Sequence, residues 1–294
     1  MGAIALPLPW FRPSEATMAH DPETPRFELC GVPVSVIDMN GLVGTVERRL
    51  RDGGPEEPGT FICFRDAHGI VRAQDDARLR DAHRDAFLIA PDGKPLSIVG
   101  RLRGFRGIGQ VPGIEAIEVL CRAGIAPGWR HFFLGGAPGV AAELAEAMSR
   151  RAPGLKVVGT EAPPFRDETP DELAAMRRRI RRSRADIVWI GLGSPKQELW
   201  MAANAPHLPG TIAMGVGAAF DVHTGRVARA PRLVRAAGLE WAYRIAREPA
   251  RLWRRYAEVV PRFLWLVARE EIKARLPGAS APIGPAQPPQ ARRD

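Results

Sequence analysis

Cysteine is scarce in this 294-residue chain: Cys30, Cys63 and Cys121 lie far apart and none belongs to a C-x-x-C pair. Neither a disulfide framework nor a cysteine zinc site is therefore indicated, and a reducing cytoplasm fits. The six histidines form no H-E-x-x-H pattern and no D-x-D triplet occurs, so no metal and no cofactor is expected. A G-x-S-x-G elbow, a Walker A loop and a G-x-G-x-x-G fingerprint are all missing, which disfavours serine hydrolases, P-loop NTPases and dinucleotide dehydrogenases. No window approaches roughly 18 uninterrupted apolar residues, the length a spanning helix needs. The run Ala3 to Leu8 is likewise too short and interrupted for a signal peptide.

What is there is a globular composition, 45% hydrophobic and 26% charged, with a formal charge of +9. That charge suggests an anionic partner such as nucleic acid, a lipid surface or a phosphorylated substrate. Its placement is uneven: from Arg226 to Leu276 thirteen Lys/Arg stand against five Asp/Glu, which makes +8 of the +9. Only four of the 42 basic residues are lysines, so the preference for arginine says little by itself. The clustering says more.

Residues 1–26 hold Pro7, Pro9, Pro13, Pro22 and Pro25 and read as a disordered leader. Residues 277–294, rich in Pro, Ala and Gly, read as a disordered tail. Between them strand-like runs alternate with helix-like ones: Val34 to Ile37, Thr60 to Phe64, Phe87 to Ala90, Phe132 to Leu134, Lys156 to Gly159, Ile187 to Ile190 and Thr211 to Val216. The expected fold is α/β, a Rossmann-like, mostly parallel sheet flanked by helices over 27–230, with a basic helical C-terminal appendage over 231–276. Thr169-Pro170-Asp171-Glu172 spells a capping box opening a helix to about Arg184. Ser194-Pro195-Lys196-Gln197 repeats that pattern, opening a helix to about Asn204 with Gln197 as its third residue.

Ligands of open parallel sheets sit beyond the carboxyl ends of the strands, at helix N-termini. Four loops fall there: Pro91-Asp92-Gly93, Gly135 to Gly139, Gly191 to Glu198 and Gly215 to Asp221. Asp92 is either a general base or ordinary Asp-Gly turn chemistry, the turn being the commoner reading of such a pair. Gly135 and Gly136 allow a phosphate cradle or merely a packing turn. Gln197 is either a capping residue or, beside Gly193 and Lys196, part of a grip on a nucleotide or sugar. Asp75-Asp76 reads as a solvated helix cap. From Pro231 to about Arg275 the chain reads as two helices with a break near Pro249. There Trp241, Tyr243, Trp253, Tyr256 and Trp265 interleave with arginines, a pattern suited to an anionic bilayer or to a packing helix with a charged face.

The ordered segments Ile190 to Glu198, Gly215 to Asp221, Arg229-Ala230-Pro231, Gly238 to Arg244 and Glu248 to Leu252 resemble the WecG/TagA/CpsF family of bacterial glycosyltransferases, over about Val34 to Tyr256. The resemblance implies metal-independent, inverting transfer of a sugar from a UDP-sugar to a saccharide on undecaprenyl diphosphate, at the cytoplasmic membrane face. It implies Asp92 as general base and Gln197 near the reacting centre. Arg244, Arg251 and Arg254 would approach the diphosphate. Asp66, Gly93, Gly135, Gly136, Gly193, Ser194, Lys196, Glu198, Gly215, Gly217, Phe220 and Asp221 would contribute to substrate binding. The partners implied are a UDP-sugar donor, a polyprenyl-diphosphate-linked acceptor and the membrane surface, with no nucleic acid and a homo-oligomer left open. Two segments depart from the family pattern. Asp66, in Cys63-Phe64-Arg65-Asp66, stands near the position of an asparagine, and Gln110-Val111-Pro112-Gly113-Ile114-Glu115 lacks the usual arginine and carries a longer acid. A non-catalytic nucleotide-sugar-binding protein and a basic nucleic-acid-binding module are the competing expectations.

Overall fold

The computed structural model describes residues 20–231, 234, 243, 246, 247 and 249–275. Most of the expected leader, the tail and Arg244 lie outside the described residues. The folded chain already includes Asp21, which is buried and accepts hydrogen bonds from Thr24 and from Arg48 at 2.9 Å, ahead of the expected boundary at residue 26.

Six parallel strands form the central sheet in the order β4-β3-β8-β7-β5-β6. They are β3 (Thr60–Arg65), β4 (Leu88–Pro91), β5 (Arg130–Gly135), β6 (Lys156–Glu161), β7 (Ile187–Gly191) and β8 (Ile212–Gly215). The expected strand at Val34 does not join them. It is β2 (Val32–Ser35), paired antiparallel with β1 (Arg26–Leu29) as a separate hairpin. Cys30 and Gly31, both at positive φ, make its two-residue turn, the geometry that matches strand twist in tight hairpins. Phe27, Leu29, Val32 and Val34 are spent on packing against the sheet's helices.

Buried residues alternate across the strands, as a sheet covered on both faces requires. Phe61, Cys63, Val188 and Ile190 enter one core, and Ile62, Phe64, Ile187 and Trp189 the other. The first core is closed by the hairpin and by α2 (Ala67–Asp75), α3 (Ala77–Asp85), α4 (Lys94–Leu102), α7 (Pro170–Ser183) and α8 (Lys196–Asn204). The second is closed by α1 (Met39–Asp52), α5 (Gly113–Ala123), α6 (Val140–Arg151) and α9 (Ala219–His223).

The basic helix α10 (Pro249–Arg275) begins at the proline where the sequence places a break and then runs through Pro261. It lies on the first layer beside α2, with Val259 and Phe263 buried. Arg262 makes a bidentate pair with Asp75, both contacts at 2.6 Å, and Glu270 and Glu271 meet Arg103 at 3.5 and 2.7 Å. Asp75 thus anchors α10, while Asp76 caps α3.

Candidate active site

The carboxyl edge of the sheet gathers the ends of β3, β4, β5, β7 and β8. Arg65, the last residue of β3, organises three of these ends although no motif announced it. Its carbonyl accepts from the Asp92 and Gly93 backbone N–H groups at 2.8 and 3.3 Å. Its guanidinium donates to Ser194 Oγ at 3.2 Å and forms an ion pair with Glu198. Both side chains are buried, at 4% and 0% exposure, so the pair is shielded from water. Burial alone would lower the Arg65 pKa, but Glu198 foremost, together with Asp66 and Asp92, raises it above the ordinary value. Arg65 is therefore a permanent cation beneath the loops.

Gln197 lies against this pair. Its Nε2 donates to Glu198 Oε1 at 2.9 Å and to the Gly215 carbonyl at 3.0 Å. Both partners are acceptors, so the amide nitrogen has to face them and the orientation is chemically forced. Its buried Oε1 has no hydrogen-bond donor among the described residues and points along the turn where a Cβ on Gly217 would stand 3.3 Å away. A buried acceptor without a donor is unfavourable by about 1–3 kcal/mol, an arrangement that a ligand donor would relieve.

The expected capping box at Ser194 is not formed. α8 begins at Lys196 with Pro195 at the cap position and no side-chain cap, so Gln197 falls second in the helix and turns into the core. Ser194 Oγ instead receives Arg65. Lys196 is drawn toward Glu168, 3.7 Å away, whose buried carboxylate takes no hydrogen bond from the described residues.

Asp92 is half-buried at the start of α4. Its Oδ1 accepts the Gly113 N–H at 3.1 Å, where α5 begins, and Gln110 Nε2 holds its carbonyl at 2.8 Å. The segment that departs from the family pattern thus grips the carboxylate, while its Glu115 pairs with Arg229 at 2.7 Å. Gly93 packs against Asp66, since a Cβ there would lie 3.1 Å from Asp66 Cβ. Asp66 caps α2 through Gly69 N–H and stands 3.8 Å from Arg255 of α10. Burial, then Arg255, pushes the neighbouring His68 down to about 4, so this imidazole is neutral near pH 7.

The glycine loops touch one another. Gly135 has φ +136°, and a Cβ on it would lie 2.6 Å from the Gly191 carbonyl carbon. Gly191 in turn lies on Phe220, which is 1% exposed and forms part of the floor. Gly193 has open space on its Cβ side and Gly136 lies against Val140. The Asp221 carbonyl accepts Arg226 N–H at 2.9 Å, closing the α9 turn.

Asp92, Gln197, Asp66 and the glycines therefore share one edge, whereas Glu198 and Phe220 lie beneath it as buried support. Arg251 belongs to the first turn of α10 and Arg254 is exposed, while Arg255 stands 3.8 Å from Asp66. A sequence signal existed for Arg65, a lone charge closing the apolar run Phe61-Ile62-Cys63-Phe64. Glu168 carried none, because its partner is remote in the chain, whereas Gln110 stands in the segment marked by its departure from the family pattern.

A doubly covered parallel sheet with a carboxylate, an amide and open glycine turns at its carboxyl edge defines an α/β protein built to hold a polar ligand there. The model of the Glycosyl transferase WecG/TagA/CpsF family matches residues 27–277. The chain belongs to that family and is a glycosyltransferase.

Proposed function

We propose that this protein transfers a sugar from a UDP-sugar to a saccharide carried on undecaprenyl diphosphate, with inversion and without a metal, during cell-surface polysaccharide or exopolysaccharide synthesis. The observation that carries the proposal is the convergence of Asp92, Gln197 and the Gly135, Gly193 and Gly215 turns on one edge, beside Arg255. In this reading Asp92 takes the proton of the acceptor hydroxyl as its oxygen bonds to the anomeric carbon from the face opposite UDP. The carbon–oxygen bond to the diphosphate breaks and its electron pair leaves with UDP. Guanidinium groups of the basic C-terminal segment offset that charge, a role the family resemblance gives to Arg244, Arg251 and Arg254 and to which Arg255 of α10 is added. The donor belongs to the N-acetylmannosamine, N-acetylmannosaminuronic acid or glucose type.

The same reading docks α10 on the inner face of the membrane. No helix among the described residues is long and apolar enough to cross one. Trp253, Leu264 and Trp265 are more than half exposed on α10, and Arg269 lies over the Trp265 ring at 5.2 Å, a surface suited to an anionic interface.

The test is incubation with a panel of UDP-sugars and short polyprenyl-diphosphate-linked saccharides, without added metal, followed by mass spectrometry of the lipids. The expected product gains one sugar. Asp92→Asn should lower turnover by at least about 100-fold, the scale of a lost general base. Its melting temperature should stay near wild type, because an amide oxygen still accepts the Gly113 N–H. Near-normal turnover would remove Asp92 from the base role, and no product across the panel despite UDP binding would favour a non-catalytic sugar-nucleotide binder.

A further inference from the structure

A cavity of about 590 Å³ opens at the opposite, amino-terminal edge of the sheet, and the transfer reaction makes no use of it. Four arginines converge on it from three elements: Arg49 from α1, Arg130 from the first residue of β5, and Arg181 and Arg184 from the end of α7. Two carboxylates, Glu56 and Asp186, complete its charged lining.

The arginines are not equivalent. Arg130 is neutralised by Asp186 through a bidentate pair at 3.0 and 2.6 Å. Arg49 is held by Glu57 at 2.9 Å and by the Pro58 carbonyl at 3.2 Å. Arg181 and Arg184 are exposed and have no carboxylate partner among the described residues. Arg184 also takes a left-handed backbone conformation, φ +52°, uncommon for a residue with a long side chain. Two unpaired guanidinium forks three residues apart match the oxygens of a phosphoryl group, which they can grip bidentately. The cavity falls within the roughly 300–1,000 Å³ of small-molecule sites, larger than an inorganic ion needs, and its polar lining suits a hydrophilic body attached to that group.

We propose that this cleft binds a phosphorylated hydrophilic ligand, with Arg181 and Arg184 on the phosphoryl oxygens. Strands β5, β7 and β8 start beside it and end at Gly135, Gly191 and Gly215, so the two sites face opposite ends of the same strands, about 15–20 Å apart.

The experiment is calorimetric titration of the full-length protein with inorganic pyrophosphate and with glucose 1-phosphate, at low and at physiological ionic strength. An Arg181→Ala/Arg184→Ala variant and, separately, Arg255→Ala are titrated alongside. Binding to wild type that weakens at least tenfold in the double variant and persists in Arg255→Ala supports the cleft. Tighter binding of the sugar phosphate than of pyrophosphate would show that the cavity reads the attached body; the reverse order would confine recognition to the phosphoryl group. Both arginines are exposed, so the double variant should melt like wild type, and Arg184→Gln alone provides a milder check. The proposal is overturned if wild type binds neither probe, if wild type and double variant bind equally, or if binding is lost in Arg255→Ala instead. Equal binding would mean that Arg181 and Arg184 serve only the carboxyl end of α7.

Discussion

Arg65 and Glu198 come from elements 133 residues apart and meet where no water reaches either, so each is tolerable only because of the other. Removing one partner of a buried pair leaves an uncompensated charge, which destabilises by about 3–5 kcal/mol. Glu198→Ala should lose stability on that scale in urea denaturation, whereas Glu198→Gln, which keeps an oxygen for Arg65, should lose less. A Glu198→Ala midpoint equal to wild type would show that the pair is hydrated. The loss should reach activity as well, because the same guanidinium holds Ser194 and the Arg65 carbonyl holds the Asp92 turn. At this scale the sequence made Asp92 and Gln197 legible, since each sits in a short motif after a strand. It could not show that Gln197 is pinned by Gly215 or that Gln110 and Gly113 hold Asp92, because those contacts depend on how loops close over a finished sheet.

Two helix starts with the same spelling behave differently. At Thr169 the hydroxyl accepts Glu172 N–H and the Glu172 carboxylate returns to Thr169 N–H, a complete capping box for α7. At Ser194 the chain turns one residue later, Gln197 N–H bonds back to the Gly193 carbonyl, and the serine is recruited by Arg65. Thr169→Ala should therefore destabilise by about 1 kcal/mol, the usual value of a lost N-cap. Ser194→Ala gives up only a hydrogen bond at an exposed residue and should fall within about 0.5 kcal/mol of wild type. Thermal or urea unfolding of the two variants side by side decides the matter, and equal losses would mean that Ser194 does cap α8. Local spelling foretold α7 because nothing else competes for Thr169. It misplaced the α8 start because a buried arginine from a distant strand does compete. The β1-β2 hairpin is the corresponding case among strands: its buried valines look like any core strand, and only three-dimensional packing puts them in a separate hairpin that closes the first core.

The whole molecule is asymmetric in charge and in apolar exposure. Strand-like runs alternating with helix-like ones made the α/β class readable, and the cluster of thirteen basic residues marked α10 and its approach as the polar surplus. What composition could not separate was which aromatic residues of that region pack inward. Val259 and Phe263 are buried against the first layer, and Arg262 locks the helix to Asp75. Trp253, Leu264 and Trp265 remain 54%, 60% and 58% exposed, beside Arg254 and Arg269. Burying such side chains in the headgroup boundary gains roughly 25 cal/mol per Å² of apolar surface, and nearby arginines add attraction to anionic lipid. The protein should therefore sediment with vesicles containing phosphatidylglycerol, less with purely zwitterionic ones, and less again as salt is raised. Leu264→Glu/Trp265→Glu should weaken vesicle binding at least tenfold while leaving the melting temperature unchanged, since neither side chain is part of the core. Arg262→Ala is the contrasting variant: it loosens α10 from α2 without removing an exposed apolar residue, so its first effect should be on stability. Vesicle binding that is undiminished in the glutamate variant would rule out this face of α10 as the membrane contact.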